Sequence, residues 1–460
     1  MKAHYALFGA PLVLAYVVWR WFPILTDYII LFTFNYKPTF QPTHWLWHGT
    51  VWFLYTWYVF LSFAIGGSLV VAAWIWRRRQ AQPETKRFPT VSFIVPAYNE
   101  EKVISKCIAS LFKCAASYEG NCEILVVEDG STDHTYKVAL TTIKMNREKW
   151  PKVQGEIVRH ERNLGKAQAI KTGVNKATGE IIAIADADTW WEPDTLLRLV
   201  QFMNSEGRAA VTGYIHPSDG NGERSLYVLL QQLEYSQGLG IFRCAQALGN
   251  SVLVIPGPIG VYKAEALRKI INEKDIKSIC EDLEITLEMH KRGHKVGYVA
   301  EARSATVAPT FFKAFWNQRQ RWFIGGLHNI ISVHRDMLFS KRWLTLLLWY
   351  CLITGYGGAI MELVAVLGIP FLYWFAPDRI YFSYNLLLFA IFALLFGIVY
   401  QAIALKFAYN HHNHRKLLYY TPLYSVLRFI NVSACFNSLI KYIFGRRGLW
   451  NKAERPIIQS

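Results

Sequence analysis

Short acidic clusters in this chain have the residue types and spacing to work on a charged substrate. Pro96-Ala97-Tyr98-Asn99-Glu100, Glu128-Asp129-Gly130-Ser131-Thr132-Asp133 and Asp186-Ala187-Asp188 each follow a short apolar run. Two carboxylates spaced Asp-x-Asp directly after a buried strand offer the hard oxygen ligands that Mg²⁺ or Mn²⁺ take, and such ions usually also hold substrate phosphates. Taken singly, each cluster also reads as a solvated acidic turn or a helix cap. Asp133 has the position of an N-cap, and Asp129 alone is as readily a cap as a ligand. Further on, Glu281-Asp282 opens a helical pattern. Gln318, Arg321 and Trp322 fall at i, i+3 and i+4, which places them on one helix face.

The surrounding pattern explains how such clusters meet. Short β-branched and aromatic runs predict strands at Val91–Val95, Glu123–Val127, Glu156–Arg159 and Ile181–Ala185. Helical spacing covers Glu101–Ala116, Asp133–Asn146, Gly165–Ala177 and Pro193–Met203, the last with Pro at the first turn. Strands alternating with helices imply βαβ units and a mostly parallel sheet. Ligands of such sheets bind beyond the C-terminal strand ends. The three clusters follow the first, second and fourth strands, so they converge on one edge.

The remainder of the chain is written for a membrane. Of 460 residues, 52% are hydrophobic and 18% charged, and Trp and Tyr are abundant, as at membrane interfaces. Residues 5–34 are mostly apolar, and 50–76 form an apolar run without a charge, long enough to span. Arg77, Arg78 and Arg79 follow, and by the positive-inside bias they place the next region in the cytosol. The pattern of a soluble domain runs over 86–309, and an amphipathic stretch over 310–342 suits the membrane interface. Within 343–460, the runs 344–375 and 381–408 are long enough to cross. The run 417–444 carries Pro422, Arg428 and Lys441 and reads better as an interfacial or re-entrant segment. Glu362 lies inside an apolar run and is expected to line or support a polymer channel, with pairing to Arg428 as the plainer alternative. Arg446-Arg447-Gly448-Leu449-Trp450 is expected to return to the site or to bind anionic lipid.

The net charge of +17 fits cytoplasmic loops and an anionic ligand such as a nucleotide diphosphate. No fold signature of a nucleic-acid reader is present, so nucleic acid is not an expected partner. Seven scattered Cys without a Cys-x-x-Cys pair indicate neither a zinc site nor a disulfide framework.

Taken in order, the clusters and Gln318-Arg319-Gln320-Arg321-Trp322 resemble the processive, membrane-bound branch of family 2 glycosyltransferases, with a GT-A (Rossmann-like) cytosolic domain. That branch includes cellulose, chitin, hyaluronan and poly-N-acetylglucosamine synthases. The resemblance covers Val91 to Trp322, and Gln-x-x-Arg-Trp is its mark. Pro256 to Lys263 is similar to the Gly-Pro-x-Gly-x-Tyr-Arg loop of hyaluronan synthases, while Gln318 to Trp322 with Gly325-Gly326 look more like poly-N-acetylglucosamine synthases. Cys280 stands where the family often has Thr before Glu-Asp.

The resemblance implies a role for each matching residue. Tyr98, Glu100 and Asp129 would hold the uridine of a UDP-sugar. Asp186 and Asp188 would face its diphosphate, with Asp188 as ligand to Mg²⁺ or Mn²⁺. Lys166 opens a helix after a strand, where a cation binds phosphate beside helix N–H groups; a surface lysine fits the same spacing. Asp282 would be the general base, taking the proton from an acceptor hydroxyl. A dipole-favoured charge at a helix N-terminus is its plainer alternative. Gln318 and Arg321 would contact the donor, and Gly257, Glu281 and Trp322 the acceptor. The plainer alternative for this stretch, an ordinary membrane-surface helix with a snorkelling Arg, fits Arg319 but not the ordered cluster. The function implied is inverting transfer from a UDP-sugar, UDP-N-acetylglucosamine above others, to a growing β-linked polysaccharide that the spans help export. The expected place is the plasma (inner) membrane with the catalytic domain cytosolic, in contact with the bilayer and with room for an accessory subunit. Non-processive transfer to a lipid-linked acceptor is the alternative, and an inactive scaffold the third reading.

Overall fold

The computed structural model describes residues 2–36, 61–79, 87–220, 225–340, 343–376, 378–408 and 412–445. Two helices precede the soluble pattern, α1 (Lys2–Phe34) and α2 (Leu61–Arg79). The stretch 50–60 of the second apolar run lies outside the described residues, as does Arg446 to Trp450. The end of α2 is joined to the soluble domain. Trp76 is buried, with its ring edge-on to Phe202 at 5.8 Å.

β1 (Val91–Ala97), β2 (Cys122–Glu128), β3 (Gln154–Arg159) and β4 (Ile181–Ile184) pair in parallel in the order β3-β2-β1-β4. They alternate with α3 (Ile104–Ala116), α4 (Thr135–Lys149) and α5 (Lys166–Lys176). β1, β2 and β4 are covered on both faces, which is why they read as nearly continuous apolar runs, whereas β3 at the sheet edge is half-buried to exposed. Phe93, Ile94, Val95, Ile124, Val126 and Val127 are fully buried, each side chain contributing roughly 1.5–3 kcal/mol of transfer free energy. α3 turns Ile104, Cys107, Ile108, Leu111 and Phe112 inward onto this sheet. It starts three residues later than the spacing predicts, because Val103 and Ile104 first donate to the Glu100 carbonyl, both at 3.0 Å.

The other half of the sheet is mixed. β5 (Thr189–Trp191) leads to α6 (Thr195–Ser205) and β6 (Ala210–Ser218). The chain then leaves along α7 (Leu226–Tyr235), a π-turn at Ser236–Phe242 and α8 (Arg243–Leu248). It returns as β7 (Gly260–Lys263), α9 (Ala264–Glu273), α10 (Glu281–Lys291) and β8 (Val296–Val307). β7 enters reversed and pairs antiparallel with both β4 and β6. β6 runs parallel to β8, with a register shift at Gly213/Tyr214, and β5 closes the edge antiparallel to β8. The whole is one eight-stranded sheet, parallel in its first half and mixed in its second.

After β8 comes α11 (Phe312–His328), followed by α12 (Trp343–Tyr350), α13 (Gly358–Trp374), α14 (Arg379–Ala408) and α15 (Thr421–Ile443). Three helical stretches here are long and apolar enough to cross a membrane: Trp343–Trp374, Arg379–Ala408 and His414–Ile443. Within α1, Pro11–Trp21 and Ile24–Phe34 meet the same test as a pair bent by 46°. Arginines fasten this region to the sheet. Arg77 donates to the Phe407 carbonyl at 2.7 Å and to Glu301 at 3.0 Å, and Arg303 donates to the Ala408 carbonyl at 3.0 Å. Two guanidinium groups thus satisfy carbonyls that the C-terminus of α14 leaves without helical partners.

Two expectations change here. Glu362 pairs with Arg428, so a long apolar helix places one charge beside its opposite. That is the plainer reading of Glu362, and it follows from the cost of a lone charge among apolar side chains. Arg319 does not snorkel. It is 4% exposed and pairs with Glu234 at 2.8 Å, because α11 lies beneath α7 and α15 instead of lying bare on a surface.

Candidate active site

The site is built where the parallel strands end. At the end of β1, Asn99 takes a left-handed conformation, φ 52°. Its amide donates to Ser131 Oγ at 3.0 Å, and its Oδ1 accepts from the Thr132 amide at 2.9 Å. Asn tolerates that conformation better than most residues because its short polar side chain can bond locally. The Glu100 amide donates to Thr135 Oγ1 at 2.7 Å. These bonds lock the Tyr98-Asn99-Glu100 turn to the turn after β2. Asp133 accepts from the Thr135 amide at 2.9 Å in a local turn. It stands one residue before the N-cap position of α4, which His134 holds without a side-chain bond, so the expected N-cap is shifted by one.

Asp129 is 2% exposed and accepts three hydrogen bonds. They come from His160 Nδ1 at 2.7 Å, the Leu164 amide at 2.9 Å and the Gly165 amide at 2.8 Å. Its carboxylate thereby fixes the loop between β3 and α5, and with it the start of α5 at Lys166. His160, whose second ring nitrogen lies 3.0 Å from Thr172 Oγ1, was not singled out from the sequence. The signal was present: it is the first residue after the third strand, a position of the same kind as the three clusters.

Lys166 joins two parts of the chain that sequence separates widely. Its Nζ lies 2.7 Å from Asp186 Oδ1 and 2.8 Å from Glu281 Oε1. Burial disfavours its charge, yet Asp186, Glu281 and Asp282 around it raise its pKa above the ordinary lysine value. Gly257 rests against this pair. A Cβ there would stand 2.7 Å from both Asp186 Oδ2 and Lys166 Nζ, closer than real Cβ atoms approach. The loop bearing Gly257 is held by Trp191 Nε1, which donates to the Pro258 carbonyl at 2.8 Å.

Asp282 sits beside Glu281 at the start of α10 and accepts the Leu283 amide at 2.8 Å. Burial, and then the charge of Glu281, push its pKa up from 3.8 to about 6, against the opposing pull of Lys166. Tyr262 beneath is raised above the ordinary phenol value by burial and by the charges of Asp282 and Glu281.

Asp188 lies on the other side of the same strand end. Its Oδ1 is 3.3 Å from Thr189 Oγ1 and 3.4 Å from Thr306 Oγ1. The buried Cys107 thiol is pushed well above its usual range by burial, then by Asp188 and Asp186, with a smaller push from Glu100. Asp186 and Asp188 flank the same strand end, and the Cys107 thiol lies 3.5 Å from the Asp186 carbonyl. The donor set is hard oxygen, which fits Mg²⁺ or Mn²⁺. Among the described residues no group of three or more His, Cys, Asp and Glu could hold a metal by itself. A pair of carboxylates whose coordination is completed by substrate phosphates meets the habit of these ions.

α11 brings the last cluster to this place. A Cβ on Gly325 would stand 2.4 Å from Cys280 Sγ, so glycine lets the helix close on the residue before Glu281-Asp282. The Cys280 thiol points at the Arg321 carbonyl at 3.7 Å, and the Arg321 charge is felt at Cys280. A small thiol at position 280 and glycine at 325 fit one another. Gln318 Oε1 is buried and accepts no hydrogen bond from the described residues. Trp322 stands with its ring 4.4 Å from the Arg319 guanidinium carbon.

A mixed α/β sheet thus carries acidic turns at its strand ends and is joined to apolar helices. Residues 92–271 match the model of Glycosyl transferase family 2, so the chain carries a domain of that family. It is 24% identical over 387 residues to the poly-beta-1,6-N-acetyl-D-glucosamine synthase of Staphylococcus epidermidis, covering 82% of this chain and 90% of that protein. It is 29% identical over 262 residues to an N-acetylglucosaminyltransferase of Azorhizobium caulinodans, covering 55% of this chain and 62% of that one. Its fold is similar to that of the mannosyltransferase PcManGT from Pyrobaculum calidifontis, solved with GDP-Man and Mn2+. The TM-score is 0.56 at 19% identity, over 84% of this chain and 97% of that one.

Proposed function

We propose that this glycosyltransferase takes N-acetylglucosamine from UDP-N-acetylglucosamine and adds it, with inversion, to a growing β-linked polysaccharide at a membrane. One observation carries the reading. Lys166 bridges Asp186 of the Asp-x-Asp turn and Glu281 beside Asp282, so donor-side and acceptor-side carboxylates share one cation. The similarity along most of the chain to a poly-N-acetylglucosamine synthase supports the choice of sugar and polymer. The apolar helices support a place in the bilayer. The reading adds export of the product and, from Arg77 to Arg79 by the positive-inside bias, a cytosolic catalytic domain at the plasma membrane.

In this reading Tyr98 packs on the uracil, and Glu100 and Asp129 accept hydrogen bonds from the uridine. Asp188, with Asp186 beside it, would hold Mg²⁺ or Mn²⁺, and the bound ion would supply positive charge to offset the negative charge gathering on the departing UDP. Gly257, expected beside the acceptor, leaves space next to Asp186 and Lys166 where donor and acceptor meet. Asp282 accepts the proton of the acceptor hydroxyl while that oxygen forms its bond to the anomeric carbon. The bond from that carbon to the diphosphate breaks on the opposite face, and UDP leaves with its electron pair. Arg321 offers a bidentate guanidinium to the diphosphate, Gln318 orients the donor, and Glu281 and Trp322 hold the terminal acceptor sugar.

Detergent-purified protein is to be given a panel of radiolabelled UDP-sugars with Mn²⁺. UDP release, with UDP-N-acetylglucosamine preferred and long products, is expected. No release from any UDP-sugar overturns the proposal. Short, uniform or lipid-linked products select the non-processive alternative. Activity that appears only after adding membrane extract would show that an accessory subunit is required.

A further inference from the structure

Arg319 is one of the residues between the glutamine and the tryptophan of Gln318 to Trp322, and no role falls to it from the reading above. Its surroundings are specific. The guanidinium carbon lies 4.5 Å from the Phe315 ring centroid and 4.4 Å from that of Trp322, so the cation stands close to both rings. Residues 315, 319 and 322 follow one another at helical spacing along α11. Nη2 reaches Glu234 Oε2 on α7 at 2.8 Å. The other oxygen, Glu234 Oε1, accepts from Asn431 Nδ2 on α15 at 3.0 Å.

Asn431 interrupts the apolar run Phe429-Ile430-Asn431-Val432 of a helix apolar enough to span. An amide among apolar residues needs a partner, and this one finds it in the carboxylate that anchors Arg319. Two further bonds tie the same helices. Lys441 donates to Gln320 Oε1 at 2.6 Å, and Ser438 Oγ lies 3.5 Å from the Gln320 carbonyl. The helix bearing the cluster also adjoins the reaction site, since the Cys280 thiol before Glu281-Asp282 points at the Arg321 carbonyl at 3.7 Å. Tyr235, next to Glu234, is pushed up to about 12 by burial, against the pull of Arg319, with Glu234 and Asp188 adding to the rise.

We propose that Arg319 is a positioning residue that holds the Trp322 ring in place for the acceptor, and that Glu234 and Asn431 fix Arg319 from the membrane-side helices. A guanidinium near two aromatic faces restrains the indole without touching the sugar. Through Asn431, the packing of α15 sets how firmly the terminal sugar is held. This inference rests on the proposal that Trp322 stacks on the acceptor.

The test uses the full chain in detergent, with UDP-N-acetylglucosamine and a short N-acetylglucosamine oligomer as acceptor. Arg319→Met is expected to raise the acceptor KM on the order of tenfold, the scale of a desolvated cation–π contact, while donor KM stays level. Arg319→Lys restores most of the loss, since an ammonium keeps the charge near the ring and the pairing with Glu234. Asn431→Leu raises acceptor KM by roughly threefold, the scale of one net hydrogen bond. Binding of UDP alone, measured by calorimetry, is unchanged in all three and reports that the domain is folded. Equal rises in donor and acceptor KM, or an Arg319→Lys variant no better than Arg319→Met, would overturn the inference. Trp322→Ala separates the two proposals. If it leaves acceptor KM unchanged, the stacking role of Trp322 fails and this inference with it. If it raises acceptor KM while Arg319→Met does not, only the inference fails.

Discussion

The proposed donor and acceptor sides of the site are held in different ways. On the donor side, Asp129, Asn99 and Glu100 are fixed largely by backbone amides and turn hydroxyls, with partners within 36 positions of them in sequence. On the acceptor and membrane side, Arg319, Gln320 and Glu234 are fixed by side chains separated by 85, 121 and 197 positions. The donor side is a property of βαβ units and forms with them. The acceptor side exists only once the apolar helices have packed on the sheet. Substitutions on the donor side should therefore act on donor binding and turnover, and those on the membrane side on the grip of the acceptor.

Removing the divalent ion is the largest perturbation of the donor side. Chelation should lower UDP release by roughly a hundredfold or more, and Mn²⁺ or Mg²⁺ should restore it. Undiminished release in excess chelator would remove Asp188 from the metal role. Next is Gly257→Val. Its side chain must displace Asp186 and Lys166, and UDP release should fall by roughly a hundredfold, through loss of donor-site geometry. Gly368→Ala, where a Cβ meets nothing within 4 Å, is the control and should leave release and thermal stability unaltered.

The pH profile is a smaller and more specific effect. With Asp282 raised to about 6 by burial and Glu281, kcat should climb as pH rises through about 6 and level off above it. Glu281→Gln removes a charge that raises this pKa, so the midpoint should move to lower pH. The sign for stability is the reverse. A carboxyl whose folded pKa lies above its unfolded value binds the extra proton when folded, so its contribution to stability falls as pH rises from about 4 to about 6. A flat kcat profile between pH 5 and pH 7 would detach Asp282 from proton transfer. The smallest effect is His160→Ala. It takes one of three donors from Asp129 and should raise donor KM about fivefold, the scale of one net hydrogen bond, with acceptor KM unchanged.

The contrast also explains what the sequence made legible. Strands β1 to β4 and the turns at Asn99, Asp129 and Asp186 depend on local pattern, and the structure has them within a few residues of their predicted bounds. The reversed entry of β7 depends on the long excursion through α7 and α8, which no local pattern announces. Arg319 read as a surface residue because a helix rich in Phe, Trp and Arg looks alike whether it lies on a bilayer or beneath two other helices. Glu234 stood unnoticed on α7 because its importance comes from α11 and α15. Cys280, a departure from the resemblance, becomes intelligible only beside Gly325. His160 was within reach, since the rule that led to Asp129 and Asp186 applies to the end of β3 as well.

The central claim is that Asp282 activates the acceptor while the turns at the strand ends hold the donor. Its most direct test is Asp282→Asn in the full-length protein, with UDP release followed beside calorimetric UDP binding in the presence of Mn²⁺. The account predicts that release falls by about a thousandfold, the scale of a positioned general base, while UDP binds as before. Release at the parental rate with intact UDP binding would contradict it.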